Sequence, residues 1–428
     1  MVTVLIFLAI FLSFFCSFVL KKQYAAVLLV IIASCRVAIT INSVIIMIFF
    51  AALLHFFHTF LETKQNKSLL LILLLPITFI LSIFLIQPYK INFFNYLGYL
   101  SALFIFAWVM LLKWDSETII KFLTVYGLFL LLAGFLEKTL TDNLRIGHVL
   151  TVATAYAVIL VVTWTIWTIS IFLSKKYSIN IIFLGTFLVF LAIVFSGTRM
   201  GLIGIILGLG LCGLSAAFTK NKNISIIKVV FYPTCIIASL LLFSVITWTL
   251  LPNDLRIKKA FSALIEGKID MENMGRVVIW ASSINIIEKN KFLGIGSGNF
   301  HIEYKKILIS AGLNNIPVHT IVGHANSVHS HSHNIYLMIL TEHGIVGFLV
   351  LSVFVFFCLL QPFLYFLKER REGRQCPEFF ALSSGFIVMV ILGATDSMGM
   401  LLPTTGFSAW LLGVCASLRE RRLNCLQK

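Results

Sequence analysis

A polytopic, all-α integral membrane protein is the fold class that three features of this sequence predict. First, 60% of the 428 residues are hydrophobic and only 12% are charged, which is far more apolar surface than one soluble core of this length could enclose. Second, the apolar residues fall in runs of roughly 20, the length a helix needs to cross about 30 Å of hydrocarbon. Third, the runs lack the strict alternation of outer-membrane barrel strands, so the spanning elements are helices. Disorder and collagen-like sequence are excluded by the low charge and the lack of Gly-Pro periodicity. The eight cysteines are scattered without CxxC spacing, which argues against a disulfide framework or a structural zinc.

Hydropathy places spans near 2–20, 24–41, 43–61, 68–87, 94–112, 118–136, 148–174, 178–196, 200–218 and 225–251, then near 334–367, 378–396 and 403–418. A very tight turn around Arg36 and Asn42 leaves the total at about 12 or 13. Val2 to Leu20 has no leading positive region and no small-residue cleavage site, so it reads as a retained span. The chain thus divides into an N-terminal bundle over 1–251, a polar loop over 252–332, and a C-terminal bundle with a tail over 333–428.

Orientation follows from the short loops. Lys21/Lys22, Lys64/Lys67, Lys113/Lys121, Lys175/Lys176, Lys220/Lys222, Lys368 to Arg374 and Arg419 to Lys428 all fall on one side, which the positive-inside rule makes cytoplasmic. The net charge of +16 is then topological bias and attraction to anionic lipid, with no nucleic-acid partner required. The same alternation puts the 252–332 loop outside, in the periplasm of a Gram-negative cell. Within it, Asn253 to Ile269 and Arg276 to Glu288 have amphipathic helical character, and Gly294 to Gly298 marks a turn.

Polar residues at a membrane carry the functional information, because each is expensive to place there. Seven of the ten histidines (301, 319, 324, 329, 331, 333 and 343) lie between positions 301 and 343. His333 ends the His-Ser-His-Ser-His run where the next apolar helix begins, and the positive end of a helix dipole favours a neutral ring there. A neutral imidazole can accept a proton from a sugar hydroxyl, as a general base must. Zinc or copper binding by the alternating histidines is the competing reading, but no carboxylate or cysteine cluster completes a ligand set. No metal or other cofactor is therefore expected.

Two arginines stand on the same outer face: Arg199 after the Ser196-Gly-Thr turn, and Arg276 at the head of the amphipathic loop helix. A guanidinium fork matches phosphate oxygens and keeps its charge. The bland reading of each is snorkelling or lipid-headgroup contact. Arg145 is a third outward candidate, and Lys305 and Lys306 add to the positive field that would attract a lipid-linked diphosphate. Glu342, nine residues beyond His333 and deeper in the helix, reads as structural or orienting. The sequence contains no P-loop, no Gly-x-Ser-x-Gly elbow and no HExxH.

His333-Asn334, nine residues, then Gly344-Ile-Val-Gly347 resembles the His-Asn/Ser/Gln-x9-Gly-x-x-Gly pattern of bacterial O-antigen ligases, in a superfamily shared with O-antigen polymerases. Gly275-Arg276, Gly294-x-Gly-x-Gly298-Asn299 and Arg199 are also similar to features of that family. The resemblance implies a GT-C-like, metal-independent, inverting glycosyltransferase at the periplasmic face of the inner membrane. Its donor would be O-antigen on undecaprenyl diphosphate, and its acceptor a sugar hydroxyl of lipid A-core. His333 would take the acceptor proton or orient the hydroxyl, and Arg199 and Arg276, with Arg145 as a weaker member, would hold the diphosphate.

Two rival readings remain. A polymerase uses the same donor with a second lipid-linked glycan as acceptor. A transporter, suggested by the many spans and by Asp396 near a span end, predicts internal symmetry and midplane polar residues, whereas the cluster here is interfacial and one-sided.

Overall fold

The computed structural model describes residues 20–33, 42–63, 93–112, 114–140, 153–174, 179–217, 271–296, 298–310, 332–372, 377–394, 407–415 and 417. Among the described residues the architecture is helical, without strands. The elements are α1 (Lys22–Ala33), α2 (Asn42–Thr63), α3 (Phe93–Leu111), α4 (Ser116–Leu140), α5 (Ala153–Ser174), α6 (Ile179–Ser196), α7 (Arg199–Ala217), α8 (Met271–Lys289), α9 (Phe300–Ser310), α10 (Ile335–Arg371) and α11 (Pro377–Gly393). A further helical stretch covers 407–415. Helices α2 to α7 coincide closely with the hydropathy limits. The spans expected at 2–20, 68–87 and 225–251, the Arg36 turn and the helix expected over Asn253 to Ile269 lie outside the described residues.

α5 is the central helix, packed against α4, α6, α7 and α11. Its sequence is apolar around the whole circumference, which suits a helix enclosed by others rather than one with a wet face. Its polar side chains are short hydroxyls and aromatic donors; Thr163, Thr168 and Ser170 are buried without a hydrogen-bond partner among the described residues, whereas others find partners nearby, as low-dielectric surroundings favour. Thr165 Oγ1 donates to the Val161 carbonyl at 2.8 Å. Trp164 Nε1 donates to Thr186 Oγ1 of α6 at 3.2 Å, and Trp167 Nε1 to Thr124 Oγ1 of α4 at 2.9 Å. Aromatic stacking closes the neighbouring contacts, with Trp410 over Phe122 at 3.9 Å and His55 over Trp108 at 4.5 Å.

The outer surface of the bundle is apolar in stripes. Val125, Leu128, Leu132 and Leu136 on α4, and Leu349, Val353 and Phe356 on α10, are all exposed at the i, i+3, i+4 spacing of one helix face. A face of that kind is unfavourable in water and neutral in hydrocarbon. Three stretches among the described residues are long and apolar enough, by length and composition, to cross a membrane: Glu117–Glu137, Ala153–Leu173 and Ile335–Val353, the last of which is interrupted at Gly344.

Close approaches fix which helix ends lie together. A Cβ on Gly204 of α7 would lie 2.8 Å from Val161 Cγ1 of α5 and 2.9 Å from Leu392 Cδ1 of α11. One turn further along α7, Gly208 abuts Trp164 and Thr165 of α5. α5 and α7 therefore run in the same direction, and Arg199 begins α7 at the end where α11 finishes. Phe366 of α10 meets Phe380 of α11 at 5.1 Å, so Lys368 and Arg371 stand at the opposite end.

Candidate functional site at the His333 helix head

The reading of 334–367 as one continuous span needs correction, because α10 breaks at Gly344, whose φ of 63° and ψ of −169° are non-helical. Hydropathy averages across such a residue, whereas the backbone turns sharply there. The two arms, 335–343 and 345–371, form an elbow. Ile335, Tyr336 and Ile339 of the first arm and Phe348, Leu351 and Val355 of the second line one cavity of about 150 Å³, completed by α5, α11 and Phe407. Two arms that line one cavity face each other across it.

An elbow leaves backbone groups without helical partners, and the turn after α8 takes them up. Ile295 N donates to Thr341 O at 3.0 Å and Gly296 N to Glu342 O at 2.8 Å. In the other direction, Ile345 N donates to Lys291 O at 2.8 Å and Val346 N to Phe292 O at 3.2 Å. This reciprocal exchange requires two glycines back to back. A Cβ on Gly344 would lie 2.3 Å from Phe292 O, and one on Gly294, with φ of 69°, would lie 2.4 Å from Glu342 O. Gly347 is buried within the second arm.

Glu342, expected deep in a continuous helix, instead sits at the elbow. It is 1% exposed, and its Oε1 accepts the Gly298 amide at 2.7 Å. The expected Gly294 to Gly298 turn is present, and Asn299, which heads α9, donates from Nδ2 to Ile295 O at 2.9 Å. α9 was not anticipated from the sequence. Its Phe300 and Tyr304 stack at 5.6 Å and join Ile279, Ile286, Ile295 and Met338 in a small core that binds α8, α9 and the first arm. Burial raises the pKa of the Tyr304 phenol above its ordinary value.

At the other end of the first arm, Asn334 is the helix N-cap. Its Oδ1 accepts the amides of Tyr336 at 2.9 Å and Leu337 at 3.1 Å, the pattern that makes asparagine a favoured cap. His333, half-buried, holds a φ of 53°, the one positive φ at a non-glycine among the described residues. A left-handed histidine is strained by roughly 1–2 kcal/mol, and such strain collects at functional sites. Ser332 Oγ donates to Asn334 O at 2.7 Å. Trp280 Nε1 of α8 donates to Ser332 O at 3.0 Å.

α8 is thus fastened to the first arm at both ends, by Trp280 near its head and by the 291–298 turn at its tail. The two helices run side by side in the same direction. Arg276, half-buried and one turn before Trp280, is thereby carried to the end that bears His333. Tyr336 Oη donates to Val390 O of α11 at 2.6 Å, and a Cβ on Gly393 would meet Ile335 Cγ2 at 2.8 Å. His333 therefore lies level with the end of α11, the same end from which Arg199 opens α7. The Ser196-Gly197-Thr198 turn before Arg199 is closed by Gly197 N to Val194 O at 3.1 Å, with Gly197 at φ 68°.

Arg145, Asp396 and His319, His324, His329 and His331 lie outside the described residues. Lys306, expected to add to the positive field, is balanced by Glu303 at 2.6 Å. Sequence reading missed Trp280, whose indole faces an acceptor 52 residues away. Only the aromatic within an otherwise aliphatic amphipathic stretch could have signalled it.

No curated protein matches the chain. Residues 184–352, less than half of the chain, match the family model described as Wzy_C, O-antigen ligase. That segment contains Arg199, Arg276, His333, Asn334, Gly344 and Gly347, and over it the chain is similar to the O-antigen ligase family.

Proposed function

We propose that this protein is an O-antigen ligase, a multi-pass enzyme of the bacterial inner membrane whose site faces the periplasm. The family implies glycosyl transfer involving lipid-linked polysaccharide. The donor in this reading is O-antigen on undecaprenyl diphosphate, and the acceptor is a lipid A-core hydroxyl. The observation that carries the reading is the double fastening of α8 to the first arm of α10, which brings Arg276 to the end of the bundle that holds His333.

In the proposed reaction the acceptor oxygen attacks the anomeric carbon with inversion, and the bond from that carbon to the diphosphate oxygen breaks. His333 takes the proton of the attacking hydroxyl or orients it. Arg199 and Arg276, with Arg145 as a further member, hold the departing diphosphate and stabilise its growing charge, usually a large catalytic term. No metal or other cofactor takes part. The apolar cavity that starts at Ile335 and Tyr336 supports a lipid-linked donor, since it offers hydrocarbon walls immediately beyond the polar head of the helix.

Complementation of a ligase-deficient strain with the wild type and His333→Ala tests this reading, with protein levels checked. Lipopolysaccharide ladders restored by the wild type alone are expected. A well-expressed wild type that gives no ladder, in a strain with compatible core and repeat unit, would refute ligase function. Conversion of single-repeat core to ladders in a polymerase-deficient strain would then identify a polymerase.

A further inference from the structure

The elbow holds two buried ionisable groups, Glu342 and His343, to which the proposed reaction assigns no role, and of these Glu342 contacts the turn after α8 through its side chain. We propose that Glu342 is a positioning residue, which holds the Arg276 helix in register with His333 by clasping the turn that follows α8; this rests on the ligase reading above. Three successive acceptors face that turn: Thr341 O takes Ile295 N, Glu342 O takes Gly296 N, and Glu342 Oε1 takes Gly298 N at 2.7 Å. The carboxylate is the only side chain among these three acceptors, so it is the part that substitution can remove without altering the backbone.

The lever arms set the expected effect. Trp280 pins α8 near its head, and at 1.5 Å per residue Lys289 lies about 13 Å beyond that pin while Arg276 lies about 6 Å before it. A shift of about 2 Å at the released tail therefore becomes roughly 1 Å at Arg276. Misplacement by that amount is worth up to about a hundredfold in rate. The loss falls on turnover, because the clamp must meet the charge that develops as the glycosyl bond breaks.

The test uses the full-length protein in proteoliposomes with lipid-diphosphate-linked glycan and core acceptor. Glu342→Ala is expected to lower kcat by about ten- to a hundredfold with KM within about threefold. Glu342→Gln, which keeps an oxygen for the Gly298 amide, restores most of the turnover. Full turnover in Glu342→Ala, or equal losses in the two variants, would overturn the proposal. If Glu342→Ala does not accumulate, Glu342→Asp keeps the charge but withdraws the acceptor, and wild-type kcat there would overturn it equally.

A second measurement does not depend on activity. Spin labels at the exposed positions Ala281 and Ile345 report the spacing of α8 from the second arm. A narrow distance distribution is expected in the wild type and Glu342→Gln, and a broadened one in Glu342→Ala. An unchanged narrow distribution in Glu342→Ala refutes the clasp whatever the enzyme does. A wild type inactive with every glycan donor, but with the expected broadening in the variant, refutes the ligase reading and leaves the clasp standing.

Discussion

Gly344→Ala probes the elbow most directly. The native backbone at φ 63° and ψ −169° falls in a region essentially restricted to glycine, where another residue is strained by about 1–3 kcal/mol. The new methyl would also lie 2.3 Å from the Phe292 carbonyl oxygen and 2.6 Å from Leu293 N. Those are backbone atoms, which cannot rotate away, so overpacking adds about 1–3 kcal/mol. Relief requires the turn to withdraw, which gives up Ile345 N to Lys291 O and Val346 N to Phe292 O, each worth about 1 kcal/mol. With the turn withdrawn, strain and the two lost bonds together give a local penalty of about 3–5 kcal/mol. At 1.4 kcal/mol per factor of ten, local opening becomes roughly a hundred- to several-thousandfold more frequent. Hydrogen–deuterium exchange of the protein in nanodiscs reads this at the amides of Ile295, Gly296, Ile345 and Val346, with central helix α5 as the protected reference. Gly347→Ala, whose helical backbone accepts alanine, is the comparison. Unchanged protection at those four amides in Gly344→Ala would refute the reciprocal clasp and the conformation assigned to the glycine.

Other substitutions follow from the same geometry. Arg276→Ala and Arg199→Ala should each abolish glycan transfer while membrane insertion and yield are retained, as read by lipopolysaccharide gels beside immunoblots; normal ladders from both would contradict the diphosphate clamp. Asn334→Ala should destabilise the head of the first arm by about 1 kcal/mol, and Asn334→Asp, which keeps the cap oxygen, by less; equal melting temperatures for the two would remove the capping role. Trp280→Phe keeps an aromatic ring but loses the bond to Ser332 O, worth about 1 kcal/mol, so kcat should fall with little change in yield. Wild-type kcat in Trp280→Phe would show that the head of α8 is held by packing alone.

The helical membrane class, the limits of α2 to α7 and the amphipathic helix at α8 were legible along the chain. Each depends on short-range order, namely hydrophobic run length and the spacing of apolar residues along one helix. Asn334 could likewise be read locally, since a cap bonds amides only two and three residues away. The tertiary structure alone decided that α10 folds back at Gly344, because the glycine's conformation is set by the Phe292 backbone pressed against it. It also decided that Glu342 belongs to the elbow rather than to the interior of a span, and that Trp280 carries Arg276 alongside the helix of His333. Those partners lie some 44 to 52 residues apart. Hydropathy reports how favourably a segment sits in hydrocarbon and carries no term for which distant amide will meet which carbonyl, so the backbone exchange that builds the site emerges only when the helices pack.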